Sequence, residues 1–228
     1  MPNILKRLLG PAGLGLLVMS VLLSTDCSPS SQVSYSVKKE IITTYPFSDP
    51  DPIPVFARSS LWGAGAKIYP YFVFNGFSQE SRPQEWTVVR LKNKYLEVSI
   101  LPEVGGKVWG AKDLKTGRDF IYTNQVLKFR EIALRGPWTS GGIEFNFGVI
   151  GHTPATATPV DYYLEKRPDG SLACTVGNYD WPSRSRWEVT IVVHPDRAYF
   201  ETRSRWTNPS PFHQSYYAWM NAAIPVAP

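Results

Sequence analysis

Within eighteen residues the sequence gathers Arg135, Trp138, Glu144, Asn146 and His152. That mixture suits a sugar. A saccharide presents hydroxyls on a partly apolar ring, so its site needs an aromatic face and fixed planar donors and acceptors. Trp138 is a candidate for the face; Arg135, Glu144 and Asn146 are candidates for the polar contacts. His152 is one of three histidines, with His194 and His213, and an unperturbed imidazole titrates near about pH 6.5. His152 and Glu144 are therefore the catalytic candidates, for proton exchange with an anomeric hydroxyl and a ring oxygen. Such acid–base catalysis typically contributes about 10²–10⁴-fold. Plainer alternatives stand beside each assignment. Glu144 and Asn146 could lie on a solvated strand face, Trp138 could pack a core, and His152 could cap backbone groups in a turn. Asp161 and Asp180 are possible partners for Glu144 in a glycosidase, where the carboxylate separation would set the stereochemical outcome. Cys174 has no evident His and Asn/Asp partners and reads as a small buried thiol. No spacing of His, Asp and Glu marks a metal site, and no cofactor is expected.

The elements that must position these groups are strands. Glu144 and Asn146 share one parity, and Ile143, Phe145 and Phe147 the other. On a strand this turns the polar pair to one face and the apolar trio to the opposite face. Gly136, Gly141 and Gly142 permit tight bends just before that strand. Upstream, residues 86–91 and 95–101 form a hairpin joined by Lys92-Asn93-Lys94, and Leu96, Val98 and Ile100 alternate with Glu97 and Ser99. Pro168-Asp169-Gly170 turns the chain between strands at 160–165 and 172–176, and His194-Pro195-Asp196-Arg197 between strands at 187–193 and 198–206. Further strands are expected at 40–45, as an edge strand, and at 67–74, 107–109, 120–122 and 215–219. Arg184, Arg186 and Glu188 alternate on one strand face, and Tyr199, Glu201, Arg203 and Arg205 on the next. Pairing of those strands would make either a charged ladder or a basic groove for acidic or heavily hydroxylated glycans. No ten-residue stretch carries a capped helical stripe. About ten short strands joined as hairpins predict a sandwich of antiparallel sheets.

Composition agrees. Of 228 residues, 43% are hydrophobic, 14% aromatic and 19% charged, with 20 Pro and 17 Gly, which allows a sizeable core. The formal charge of +5 comes from scattered residues without a basic block, so nucleic acid is not an expected partner. Two cysteines cannot form a disulfide scaffold.

The start of the chain reads as an address. Lys6 and Arg7 precede an apolar run at 8–23, broken by Gly10, Pro11, Gly13 and Gly15. That run is too short and interrupted for a membrane span of about 20 residues, and it reads as an export signal over 1–26. Cys27, followed by Ser28-Pro29-Ser30-Ser31, resembles the lipidated cysteine of a bacterial lipoprotein signal. Asp26 stands where such signals carry Gly, Ala or Ser, which keeps a secreted form open. Residues 27–60 then form a Pro-rich tether, and 61–228 an all-β domain. The expected partners are a carbohydrate ligand and, through a lipid on Cys27, the membrane of the cell envelope. The apolar stretch 222–228 reads as a strand interrupted by the end of the recorded chain.

Four ordered blocks carry a family resemblance. They are the run from Asn93 to Trp109 with Gly105-Gly106-Lys107-Val108-Trp109, the segment Gly136-Pro137-Trp138-Thr139-Ser140-Gly141-Gly142-Ile143-Glu144-Phe145-Asn146-Phe147 with Gly151-His152-Thr153-Pro154, then Ser185-Arg186-Trp187-Glu188, and Tyr217-Ala218-Trp219-Met220-Asn221. Together they resemble an uncharacterised bacterial family with a galactose-mutarotase-like N-terminal domain, often followed by tetratricopeptide repeats. The resemblance implies a β-supersandwich of antiparallel strands, incomplete at Pro228, and a His and a Glu as the catalytic pair of that fold, the base lying late in the fold and so beyond Pro228. Arg186 and Asn221, in the last two blocks, join Arg135, Trp138 and Asn146 as expected substrate-binding residues. Three functions stay open: a carbohydrate-binding module, part of an epimerase or glycosidase, and a structural or assembly lipoprotein with protein partners.

Overall fold

The computed structural model describes residues 32–47, 76–131, 137–147, 152–181, 183–214 and 217–226. Two units divide the chain at Ser30/Ser31, and all the described residues belong to the second, Ser31–Pro228. The export signal, Cys27, the strand expected at 67–74 and Arg135 lie outside the described residues.

The described residues of the second unit form thirteen strands and one short 3-10 turn. They are β1 (Ser34–Tyr45), β2 (Arg82–Lys92), β3 (Leu96–Leu101), β4 (Lys107–Asp113), β5 (Asp119–Ile121), β6 (Val126–Glu131), β7 (Pro137–Thr139), β8 (Ile143–Phe147), β9 (Asp161–Lys166), β10 (Leu172–Asp180), β11 (Ser185–Val193), β12 (Phe200–Thr207) and β13 (Ala218–Ala222). The larger sheet has nine strands in the order β13-β8-β4-β3-β2-β1-β6-β7, with β5 paired to β4, and the smaller runs β12-β11-β10-β9. Neighbouring strands are antiparallel except β1 and β6, which are parallel. The fold is thus an all-β sandwich, as the turn chemistry and strand alternation predict.

Period-two patterning builds the core between the sheets. Val89, Leu91, Val98, Ile100, Val108 and Phe145 project from the large sheet, and Cys174, Val176, Trp187, Val189 and Ile191 from the small one. Phe147 stacks on Trp187 at 5.1 Å between ring centroids, 8° from parallel, and so ties β8 to β11. A fully buried aromatic of this kind costs roughly 3–5 kcal/mol to truncate to alanine.

The other face of the large sheet is also partly apolar. Trp86, Val88, Leu101, Val104, Trp109, Leu127 and Phe129 form a second cluster there. A bulge in β4 contributes: Ile100 faces Val108 and Ser99 faces Gly110, so Trp109 is the extra residue. Polar side chains that lie within this cluster are therefore surrounded by packed groups instead of water.

Two placements differ from expectation. The edge strand expected at 40–45 is longer, Ser34–Tyr45; β2 pairs along its length, and β6 covers its other side only at Thr43–Tyr45. Tyr35, Val37 and Ile41, in the part that β6 does not reach, are exposed. The strands β6 and β7 were not anticipated, because β7 is three residues long and β6 pairs with β1 across about eighty residues of sequence. The ladder between β11 and β12 does form, with Glu188 opposite Arg205. Arg205 donates to Glu188 through Nε at 2.9 Å and through Nη2, Arg186 Nη2 lies 3.4 Å from Glu188, and Arg203 pairs with Glu201 at 2.8 Å. Three guanidinium groups share two carboxylates, so the strands form a charged ladder that keeps an excess of positive charge on this face. Cross-strand pairs of this type contribute roughly 0.2–1 kcal/mol each.

Candidate functional site

Strand β8 is set by a glycine. Gly142 has φ +70°, and a Cβ there would lie 2.1 Å from the Val108 carbonyl oxygen. Only glycine allows that approach, which seats Ile143 opposite Val108 on β4. One residue on, Glu144 comes beside Lys107. Ile143, Phe145 and Phe147 enter the inter-sheet core. Glu144 and Asn146 therefore point to the second face.

They are not solvated there. Glu144 is 3% exposed, Asn146 0%, His152 5% and Lys107 2%. Glu144 Oε1 accepts two hydrogen bonds, from Asn146 Nδ2 at 2.8 Å and from His152 Nδ1 at 2.6 Å. A carboxylate can only accept, so His152 Nδ1 is the donor in that bond. Asn146 Oδ1 accepts from the Thr153 backbone at 2.9 Å, and Thr153 Oγ1 both accepts from Phe147 N at 2.8 Å and donates to Phe147 O at 2.7 Å. These bonds pin residue 152 over β8. The His152 ring meets Trp219 edge-on at 4.9 Å, and Trp219 lies opposite Asn146 across β13.

Lys107 completes the cluster, and sequence reasoning had passed over it. Its Nζ donates to Thr139 O at 2.9 Å and Thr139 Oγ1 at 2.8 Å. Burial pulls its pKa down to about 8, partly opposed by the negative charge of Glu144. Two of its three protons are thus placed. The second carboxylate oxygen, Glu144 Oε2, is buried without a hydrogen-bond partner among the described residues. The signal in the sequence was a lysine between Gly106 and Val108 that shares the parity of Trp109.

The remaining expected residues are distributed as follows. Asn221 pairs with Glu144 across β13 and β8 and is exposed on the same side. Trp138 is half-buried on β7; its neighbour Thr139 faces Lys107, so strand alternation turns Trp138 to the other side of that ribbon. Arg186 lies on the small sheet with its side chain 60% exposed, away from the cluster. Asp161 is exposed on β9, and Asp180 is buried at the end of β10, where Ser183 N donates to it at 3.0 Å and burial raises its pKa. Both carboxylates belong to the small sheet, not to the face that carries Glu144.

What the arrangement can do is hold one imidazole in a fixed orientation by a carboxylate, with an amide and an ammonium alongside. This defines a two-sheet β domain with a buried acid–imidazole–ammonium cluster on the outer face of its larger sheet. The chain belongs to the family described as Domain of unknown function (DUF5107), which matches residues 64–228. A solved structure, that of a TPR-domain containing protein from Parabacteroides distasonis ATCC 8503, is similar with a TM-score of 0.76 and 25% identity. The similarity covers 87% of this chain and 33% of that one, so this chain spans about a third of that protein.

Proposed function

We propose that this domain recognises a saccharide on the outer face of its large sheet, with Glu144, His152 and Lys107 as the polar centre. One observation carries the reading: among the described residues, Glu144 Oε2 is buried and unpartnered beside a buried ammonium that has a proton to spare. An unsatisfied buried oxygen of this kind costs roughly 1–3 kcal/mol, more when charged. A sugar hydroxyl satisfies both groups at once, because it donates to the carboxylate and accepts from the ammonium. Trp219, whose half-buried ring meets His152 edge-on, would supply the aromatic face beside this centre. The finer likeness, to galactose-mutarotase-like domains, belongs to the same reading. It is supported by the His–Glu pairing and by the two-sheet all-β architecture. We also place the protein at the cell envelope, tethered through Cys27, on the strength of the basic and apolar segment that precedes it. The printed description of the solved neighbour as a TPR-domain containing protein favours a second reading, in which the domain serves assembly with protein partners.

A glycan array probed with the full chain and with Glu144→Gln tests the first reading. The wild type should bind at least one saccharide class, and the variant should lose at least tenfold in affinity, as expected for a hydrogen bond to a charged group of roughly 1.5–3 kcal/mol. Absence of binding across the array, or equal binding by a folded Glu144→Gln variant, would refute it.

A further inference from the structure

A groove of about 360 Å³ lies along the same face of the large sheet. That volume falls within the range of about 300–1,000 Å³ seen for small-molecule sites. Trp109 and Val88 line it with Ser99, Thr123, Asn124 and Gln125, and its charged walls are Glu40, Arg90, Glu97, Lys112 and Asp119.

Two features decide what it fits. The first is continuity with the Glu144 cluster. Trp109 lines the groove, and the Lys107 ammonium lies 5.7 Å from its ring centroid. Two residues along β4 separate them, about 7 Å by strand rise, comparable to one sugar ring. Asn124 on the groove wall also donates through Nδ2 to Ser140 Oγ, next to the Thr139 that holds Lys107. The second feature is charge. Arg90 is bound to Glu40 through both terminal nitrogens, one of them at 2.8 Å, and its Nε lies 3.5 Å from Glu97. Lys112 pairs with Asp119 at 3.9 Å. The two cations that line the groove each lie beside a carboxylate and are outnumbered by three carboxylates, which disfavours an anionic ligand, whereas the hydroxyls of Ser99 and Thr123 and the amide of Gln125 make no side-chain hydrogen bond to protein among the described residues. That lining suits an uncharged ligand rich in hydroxyls.

We infer that the groove is a second saccharide subsite, so that the ligand is an uncharged oligosaccharide that extends along the sheet from Glu144 past Trp109. The inference rests on the carbohydrate reading above and adds the length and neutrality of the ligand. The probes are the monomer-to-hexamer series of β-1,4-linked xylose, β-1,4-linked glucose, α-1,4-linked glucose and α-1,4-linked galacturonic acid, titrated calorimetrically into the full chain. The expected result is binding of a neutral series, at least tenfold tighter for the trimer than for the monomer. Ser99→Trp, which fills the groove, should abolish that gain and leave monomer affinity unchanged. Because a bulky residue on β3 could disturb folding, Lys112→Ala/Asp119→Ala provides a second variant on the exposed wall, and it should reduce the gain in the same way. Equal affinity for monomer and hexamer, preference for the galacturonic acid series, or a gain preserved in both variants would overturn the subsite and leave the Glu144 reading standing. No binding by any member, monomers included, would overturn both.

Discussion

Removal of the Lys107 charge gives the sharpest physical test of the cluster. Its ordinary pKa of 10.5 falls to about 8 in the folded protein because burial disfavours the ammonium. The unfolded chain then binds more protons than the folded one between those two values, so stability must rise as pH rises through that window. The difference of 2.5 pH units corresponds to about 3 kcal/mol, at 1.36 kcal/mol per unit. Other lysines and tyrosines titrate in the same range, so the useful quantity is a difference between two proteins. Urea unfolding of the full chain and of Lys107→Met, at pH 7, 9 and 10.5, isolates it. Relative to the variant, the wild type should gain about 3 kcal/mol from pH 7 to 10.5, with most of the change above pH 8. Thr139 loses its donor in the variant, but that loss shifts the gap equally at every pH. A gap constant across the series would show that Lys107 remains solvated, and the argument for a buried cluster would fail with it.

Two further outcomes follow from local geometry. Gly142→Ala places a Cβ 2.1 Å from the Val108 carbonyl at φ +70°, and should lower unfolding free energy by at least about 2 kcal/mol; an unchanged denaturation midpoint would mean that β8 is not held this close to β4. Cys174 is buried and its thiol is pushed up to about 12, so site-resolved iodoacetamide labelling at pH 8 should modify it only after denaturation. Rapid labelling of native protein at this residue would contradict the packing between the sheets.

The parts of this fold legible in sequence are those governed by local alternation. Ile143, Phe145 and Phe147 against Glu144 and Asn146, and Trp187, Val189 and Ile191 against Arg186 and Glu188, assign their faces without any knowledge of partners. The Pro168-Asp169-Gly170 turn is legible too: Gly170 has φ +81°, and Asp169 Oδ1 accepts from Ser171 N at 2.9 Å. What local pattern does not state is what covers a face. Glu144 and Asn146 read equally well as a solvated pair, and only the Thr153 tie and Trp219 bury them. Lys107 was missed for a related reason. Gly106 and Val108 flank it, and no pattern along β4 alone shows that β8 brings a carboxylate beside it. Trp138 is a different case. Its aromatic type suggested a platform, but the parity of Thr139 turns it away.

Stability alone does not account for this cluster. Two opposite charges held out of water without direct pairing lose solvation that their attraction repays only in good geometry, and replacement of such groups by apolar side chains of similar volume is often neutral or stabilising by about 1–4 kcal/mol. The second face already packs Trp86, Val88, Leu101 and Leu127, so methionine and leucine at 107 and 144 would extend an existing core. Instead the fold commits Thr139, Asn146, Thr153 and His152 to hold one ammonium and one carboxylate in place. It still leaves Glu144 Oε2 without a partner among the described residues. Polar groups fixed at that expense in stability, with one oxygen unanswered, have the form of a prepared contact for a ligand group that both donates and accepts.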